Sequence, residues 1–343
     1  MNRNWFNIAA IYIGTIIGAG FASGREIIDF FGVYGYKGIW GALIAGGLFS
    51  FLGTYFLIKV HEKKINGYKE LIYYIFGKKL GLVIDTLITL SLFLGFCIML
   101  AGSGTIFRDQ LKLSYELGVY IMAGLCFFIF IFSIKGVSLI NSILVPMLVI
   151  GIIFLGAMVV VKEGLTLSNV NGITLTKNGN WLISSVLYVS FNSLLMIVVL
   201  LSLLPIVSDR KTAIKGGLTG GIVLGILIVF ILVPMLILYT DVSSLEIPML
   251  KVCDHVGKSY KTLYSFILWI AMFTTSIANG FGFIERVSNG KNNVLLSAIF
   301  CILSIPFAKI GFSKLVSTVY PVFGYLGIIV LLAMFCRISG FSG

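Results

Sequence analysis

An all-α integral membrane protein of about ten transmembrane helices is the fold class this sequence predicts, and three observations predict it. Of the 343 residues, 59% are hydrophobic and only 11% are charged, too little charge to clothe a soluble domain of that size. The apolar residues come in blocks long enough to cross a bilayer, which takes about 20 residues per helix. Lysine and arginine gather in alternate connections between those blocks, the asymmetry that sets topology in a membrane.

Taken in order, the first five spans run approximately Trp5–Phe31, Ile39–Val60, Gly81–Phe107, Tyr115–Ile134 and Ser138–Val161. The second five run Trp181–Leu204, Ala213–Tyr239, Tyr260–Ile284, Asn293–Phe307 and Lys314–Phe335. Gly67–Phe76 is too short and too polar to span, and reads as a short helix on the cytoplasmic surface. The longest connections are Lys162–Asn180 and Thr240–Ser259, and the second contains Glu246-Ile-Pro-Met-Leu, the start of a short helix over the outer mouth. With no Pro/Ser-rich linker, residues 1–343 read as a single membrane domain.

The formal charge of +12 raises nucleic acid as a partner, but its distribution argues against that. Lys59, Lys63, Lys64, Lys69, Lys78 and Lys79 crowd one connection, and Arg210, Lys211 and Lys215 another on the same side. Arg3 falls there too, so both termini are expected in the cytoplasm of a multi-pass protein of the cell membrane. The five cysteines show no metal spacing and, being odd in number, no disulfide framework. The first block lacks a cleavage site and continues into Arg25 and Glu26, unlike a signal peptide.

A weak internal echo divides the chain near Lys177. The first and sixth spans open on Trp5 and Trp181. The second carries Gly41, Gly46 and Gly47, and the seventh Gly216, Gly217, Gly220 and Gly221. Five spans per half force the second half to cross from the opposite face, which makes an inverted repeat of about 5–162 and 181–338. In such repeats, corresponding interrupted spans build a binding site near the midplane.

The stretch Gly14-Thr-Ile-Ile-Gly18-Ala-Gly20-Phe-Ala-Ser23-Gly24-Arg25-Glu26 sits within the first span. Each glycine weakens a helix by ~1 kcal/mol relative to alanine, and insertion scales charge Arg roughly 2.5–3.5 kcal/mol at membrane depth. Close helix packing accounts for the small-xxx-small spacing but not for Arg25–Glu26. A break near Gly18–Gly20 accounts for both. Backbone N–H groups at Gly18, Ala19 and Gly20, with Ser23 as side-chain donor, then favour an anionic group on a solute. Arg25 and Asp29 are four apart and suit an in-helix ion pair.

The sixth span holds Tyr188-Val-Ser190-Phe-Asn192-Ser193, a polar cluster read either as a second break or as interhelical hydrogen bonding. Ser190 and Asn192 there, with Phe96, Met99 and Ser103 on the third span, are candidates for the remaining walls of a substrate site. The eighth span holds a polar stripe, Thr274-Thr275-Ser276 and Asn279.

At these places the sequence resembles the YkvI-like family of uncharacterised bacterial membrane proteins, through Gly14–Glu26, Phe30-Phe31 and the turn Tyr34-Gly35-Tyr-Lys-Gly38. That family belongs to the amino acid–polyamine–organocation superfamily. The resemblance implies the leucine-transporter fold, with broken first and sixth helices. It also implies, by analogy with sodium-coupled members, one Na⁺ held by the carbonyls of Gly14, Ile17 and Ala271 and the hydroxyls of Thr274 and Thr275. Phe21 stands where members with two sodium sites carry Asn, a departure that argues against a second site.

These readings converge on a secondary active transporter, a Na⁺ symporter of a small amino-acid-like solute, with no other cofactor. The alternatives are proton coupling through Glu26, the one acidic residue placed near the cavity, and a non-transporting ligand sensor of the germinant-receptor type. An enzyme is disfavoured, since no nucleophile–base pair or cofactor loop is visible. An inner gate is expected between Arg3 and Glu285.

Overall fold

The computed structural model describes residues 4–63, 68–132, 137–165, 180–288 and 294–338. Among them no strand occurs. Eight helices are long and apolar enough to cross a membrane. In chain order with the others, they are α4 (Tyr36–Lys63), α5 (Tyr68–Asp109), α6 (Tyr115–Phe132), α7 (Val137–Glu163), α8 (Trp181–Ser202), α9 (Arg210–Ile237), α12 (Lys258–Ser288) and α14 (Phe312–Ile338).

The first predicted span is interrupted. It forms α1 (Asn4–Ile16), α2 (Ala19–Ser23) and α3 (Arg25–Phe30). Gly18 is extended (φ −96°, ψ −176°), and Gly24 closes α2 in the left-handed region at φ +78°, which a side chain would penalise. The ninth predicted span is α13 (Val294–Ala308), only 15 residues long. Between α9 and α12 lie α10 (Tyr239–Val242) and α11 (Pro248–Val252), the latter supplying the short helix expected after Glu246. Residues 68–76 are helical and meet the rest of α5 at Gly77, where φ is +71°.

One expectation is overturned: the sixth helix is not broken. α8 runs unbroken from Trp181 to Ser202. Asn192 Nδ2 donates to Tyr188 O at 3.0 Å, and Ser193 Oγ to Val189 O at 2.7 Å. Both side chains satisfy themselves on carbonyls four residues back, which leaves the backbone ladder intact.

The glycines of the echo, Gly47 apart, have a packing role. A Cβ on Gly221 would stand 2.1 Å from Ser50 N, and one on Gly46 would stand 2.7 Å from Gly225 Cα. Such small residues let α4 and α9 approach backbone to backbone. α1 docks on this pair through Tyr12, whose Oη donates to Phe49 O at 2.9 Å. α8 meets α14 as closely, since a Cβ on Gly327 would lie 2.1 Å from Ser190 O. The pieces of the break are tied to α12, where Tyr264 Oη donates to Ala22 O at 2.7 Å, and to α8, where Ser184 Oγ donates to Phe30 O at 2.7 Å.

Candidate functional site

A cavity of about 1020 Å³ follows α1 from Phe6 to the break, on the side away from the buried Ile8, Ala9 and Tyr12. One end is the exposed part of α1, where Phe6 and Ile11 are 59% and 43% exposed. The other ends at Gly18, Ala19, Gly20, Phe21 and Glu26. Beyond it, Arg25 donates to Asp29 through Nε at 3.0 Å and through Nη2, and to the carbonyls of Ser243 and Leu245 at 2.9 and 3.1 Å. The guanidinium therefore fastens the α10–α11 connection over the break, and the cavity is closed on that side.

The break frees backbone oxygens. Gly18 N–H, which a continuous helix would direct at Gly14 O, donates instead to Ile16 O at 2.8 Å. Among the described residues no backbone N–H bonds to the carbonyl of Gly14 or of Ile17. Across from them on α12, Ala271, Thr274 and Thr275 line the same cavity. Thr275 Oγ1 lies 3.9 Å from where a Cβ on Gly18 would stand, while Thr274 Oγ1 donates to Ala271 O at 3.1 Å. All five residues of the expected sodium set thus line the same cavity, with Thr274 turned to its own helix.

Of the expected substrate set, Gly18, Ala19, Gly20, Met99 and Asn192 line the cavity and the other four do not. Ser23 donates to Gly20 O at 2.6 Å, inside the break. Ser103 donates to Gly118 O at 2.9 Å and accepts from Trp269 Nε1 at 2.8 Å, tying α5 to α6 and α12. Phe96 stacks into a ring cluster with Phe130 and Phe300. Ser190 lies in the α8–α14 seam. The face of α5 on the cavity is Ile88, Ser91, Leu92, Gly95 and Met99, a helical stripe that leaves Phe96 on another side. The helical stretch beyond the break is two pieces of five and six residues, too short for a sizeable dipole.

No family model matches the chain. The Bacillus subtilis (strain 168) protein described as "uncharacterized membrane protein YkvI" is 32% identical over 336 residues, 96% of this chain and 95% of that one. The chain belongs to the YkvI family. A second Bacillus subtilis (strain 168) protein, the "uncharacterized protein YyaD", is 26% identical over 327 residues, 94% of each chain.

Among solved structures, the inward-facing conformation of Mhp1 superposes with a TM-score of 0.65 at 15% identity, covering 98% of this chain and 76% of that one. Mhp1 in a closed conformation with bromovinylhydantoin bound, described as a nucleobase-cation-symport-1 family transporter, gives 0.54 at 16% identity, covering 99% and 72%. A mutant of the Eremococcus coleocola manganese transporter gives 0.51 at 14%, covering 98% and 87%. The fold of this YkvI-family chain is therefore one that secondary transporters use.

Two groups in the site went unread in the sequence. Arg286 lines the cavity near its mouth, and its Nη1 donates to Asp85 Oδ1 at 2.7 Å, joining α12 to α5. Asp85, an acidic residue within the third predicted span, reaches the site only through Arg286, and among the described residues Glu26 is the one acidic residue on the cavity wall. Of the expected Arg3–Glu285 gate, Arg3 lies outside the described residues and Glu285 is exposed. The second group is the ring pair Phe191 and Tyr320, stacked with centroids 4.1 Å apart beside Glu26.

Proposed function

We propose that this protein is a secondary active transporter that carries a small amino-acid-like solute across the cell membrane by alternating access, coupled to Na⁺. The observation that carries this reading is a cavity that runs to the break of the first helix from one end only, sealed at the other by Arg25 and the α10–α11 connection. Alternating access requires such one-sidedness. In this reading the broken first helix and α13 also cross, giving ten spans in a five-plus-five inverted repeat of the amino acid–polyamine–organocation superfamily. The termini are cytoplasmic, the side on which Lys and Arg accumulate, and the conformation described is inward-open.

Na⁺ is held by the carbonyls of Gly14, Ile17 and Ala271 and the hydroxyls of Thr274 and Thr275. Support comes from the bare carbonyls at the break and from the threonines on the facing wall, an all-oxygen set of the kind hard cations take. Proton coupling is the second reading, favoured by the presence of Glu26 in the cavity. Thermal unfolding of the purified protein with amino acids and small amines, with and without Na⁺, separates the two. A bound ligand stabilises the native state by mass action, about 2.7 kcal/mol at a hundred times Kd. Stabilisation that depends on Na⁺ supports sodium; stabilisation that ignores Na⁺ and follows pH assigns the coupling to Glu26.

A further inference from the structure

Glu26 is 3% exposed and lies on the cavity wall. Tyr188 Oη donates to its Oε1 at 3.4 Å, one long hydrogen bond for a group with about four acceptor positions. Among the described residues no cation pairs with it. Arg25, the adjacent residue, is turned away onto Asp29 and two carbonyls. The other charged residue on the cavity wall is Arg286, held by Asp85. The blind end of the cavity therefore carries a carboxylate without a counter-charge, which low-dielectric surroundings make costly.

The space in front of that carboxylate is open because residue 20 is glycine. A Cβ there would stand 3.0 Å from Glu26 Oε2 and 3.0 Å from Tyr320 Oη, so both oxygens border one small volume. Tyr320 and Phe191 stack with centroids 4.1 Å apart at its edge. A carboxyl group and a hydroxyl that border one vacancy, with a stacked ring pair beside them, fit an ammonium.

We propose that Glu26 is the receptor for a cationic nitrogen on the transported solute, with Tyr320 and Phe191 forming the wall beside it. This rests on the transporter reading and names the substrate class for the same cavity. It also reverses the pose expected from the sequence: a solute carboxylate at Gly20 would face Glu26 at like charge, so the ammonium points to Gly20 and any carboxylate points away.

The test compares matched probes on purified protein in nanodiscs. Leucine, isoamylamine and isocaproate form one set; phenylalanine, phenethylamine and hydrocinnamate form another; choline is added as a fixed cation. Amine-bearing members are expected to bind wild type, and the deaminated acids are not. Glu26→Gln should weaken the amines at least tenfold, with Glu26→Asp retaining the preference for amines at lower affinity if the Gln variant folds poorly. Tyr320→Leu should weaken them about tenfold, as for the loss of one hydrogen bond to a charged group.

Acids that bind as well as amines overturn the proposal, as does a panel in which no amine-bearing compound binds. A folded Glu26→Gln that keeps its amine affinity and loses only its response to pH overturns it too, leaving Glu26 a proton carrier alone. Uptake that survives in Glu26→Gln overturns this assignment and leaves the transporter reading standing. Amine binding that requires Glu26 but never leads to accumulation does the reverse.

Discussion

Arg286 and Asp85 meet at 2.7 Å between α12 and α5, with side chains 17% and 16% exposed, beside the mouth of the cavity. A charge-assisted hydrogen bond at this depth contributes about 1.5–3 kcal/mol, and removing one partner strands the other. Arg286→Ala is expected to lower unfolding stability by that amount, while the double variant with Asp85→Ala recovers part of the loss. Losses that simply add in a double-mutant cycle would show that the pair is not coupled.

Arg25 fastens the closed side of the cavity through Asp29 and the carbonyls of Ser243 and Leu245. Cys253, just past α11 and 0% exposed, is a native reporter of that connection. In Arg25→Ala, thiol labelling of Cys253 should quicken by about tenfold or more, the equivalent of ~1.4 kcal/mol off the opening cost. Peptide-resolved mass spectrometry separates it from the exposed Cys336. An unchanged labelling rate would mean the connection is held by its apolar contacts alone.

The break in the first helix was legible in the sequence because Gly14, Gly18, Gly20 and Gly24 interrupt an apolar block that then runs into Arg25 and Glu26. The continuity of α8 was not. Ser193 and Asn192 give the same composition whether they bond to their own helix or to an unwound neighbour, and only the bonds to Val189 O and Tyr188 O decide it. Rotational phase was the other obscurity. Successive residues differ by ~100° around a helix, so Arg286 reaches the cavity while Glu285 is exposed, and Met99 reaches it while Phe96 joins a ring cluster. Tyr320 was invisible for a third reason: α14 alone carries no polar pattern that marks it, and packing brings it to Glu26.

Gly20 leaves room between Glu26 Oε2 and Tyr320 Oη that a methyl group would occupy at 3.0 Å from each. Overpacking of that kind costs typically 1–3 kcal/mol. Gly20→Ala is expected to weaken solute binding about tenfold, and Gly20→Leu to abolish it with folded yield retained. Binding at wild-type affinity in Gly20→Leu would place the solute elsewhere in the cavity.

For the ion, Thr275→Val removes the hydroxyl facing Gly18, and Thr274→Ala removes the one that now rests on Ala271 O. Each variant is expected to lose Na⁺ stimulation of solute binding while folding as well as wild type, because each deletes a liganding oxygen and little packing. Equilibrium binding across a Na⁺ series checks this. If both variants respond to Na⁺ as wild type does, the ion sits at other oxygens.

The central claim is that the solute crosses, and accumulation in proteoliposomes measures it directly. Wild-type protein is reconstituted and given radiolabelled amino acids and amines at equal total salt, with Na⁺ outside and K⁺ within. At least one labelled solute should concentrate inside above its external level and run back out when a sodium ionophore dissipates the gradient. Solutes that bind the protein yet never exceed the level in protein-free vesicles, under either a Na⁺ or a pH gradient, would contradict the account and make this chain a sensor.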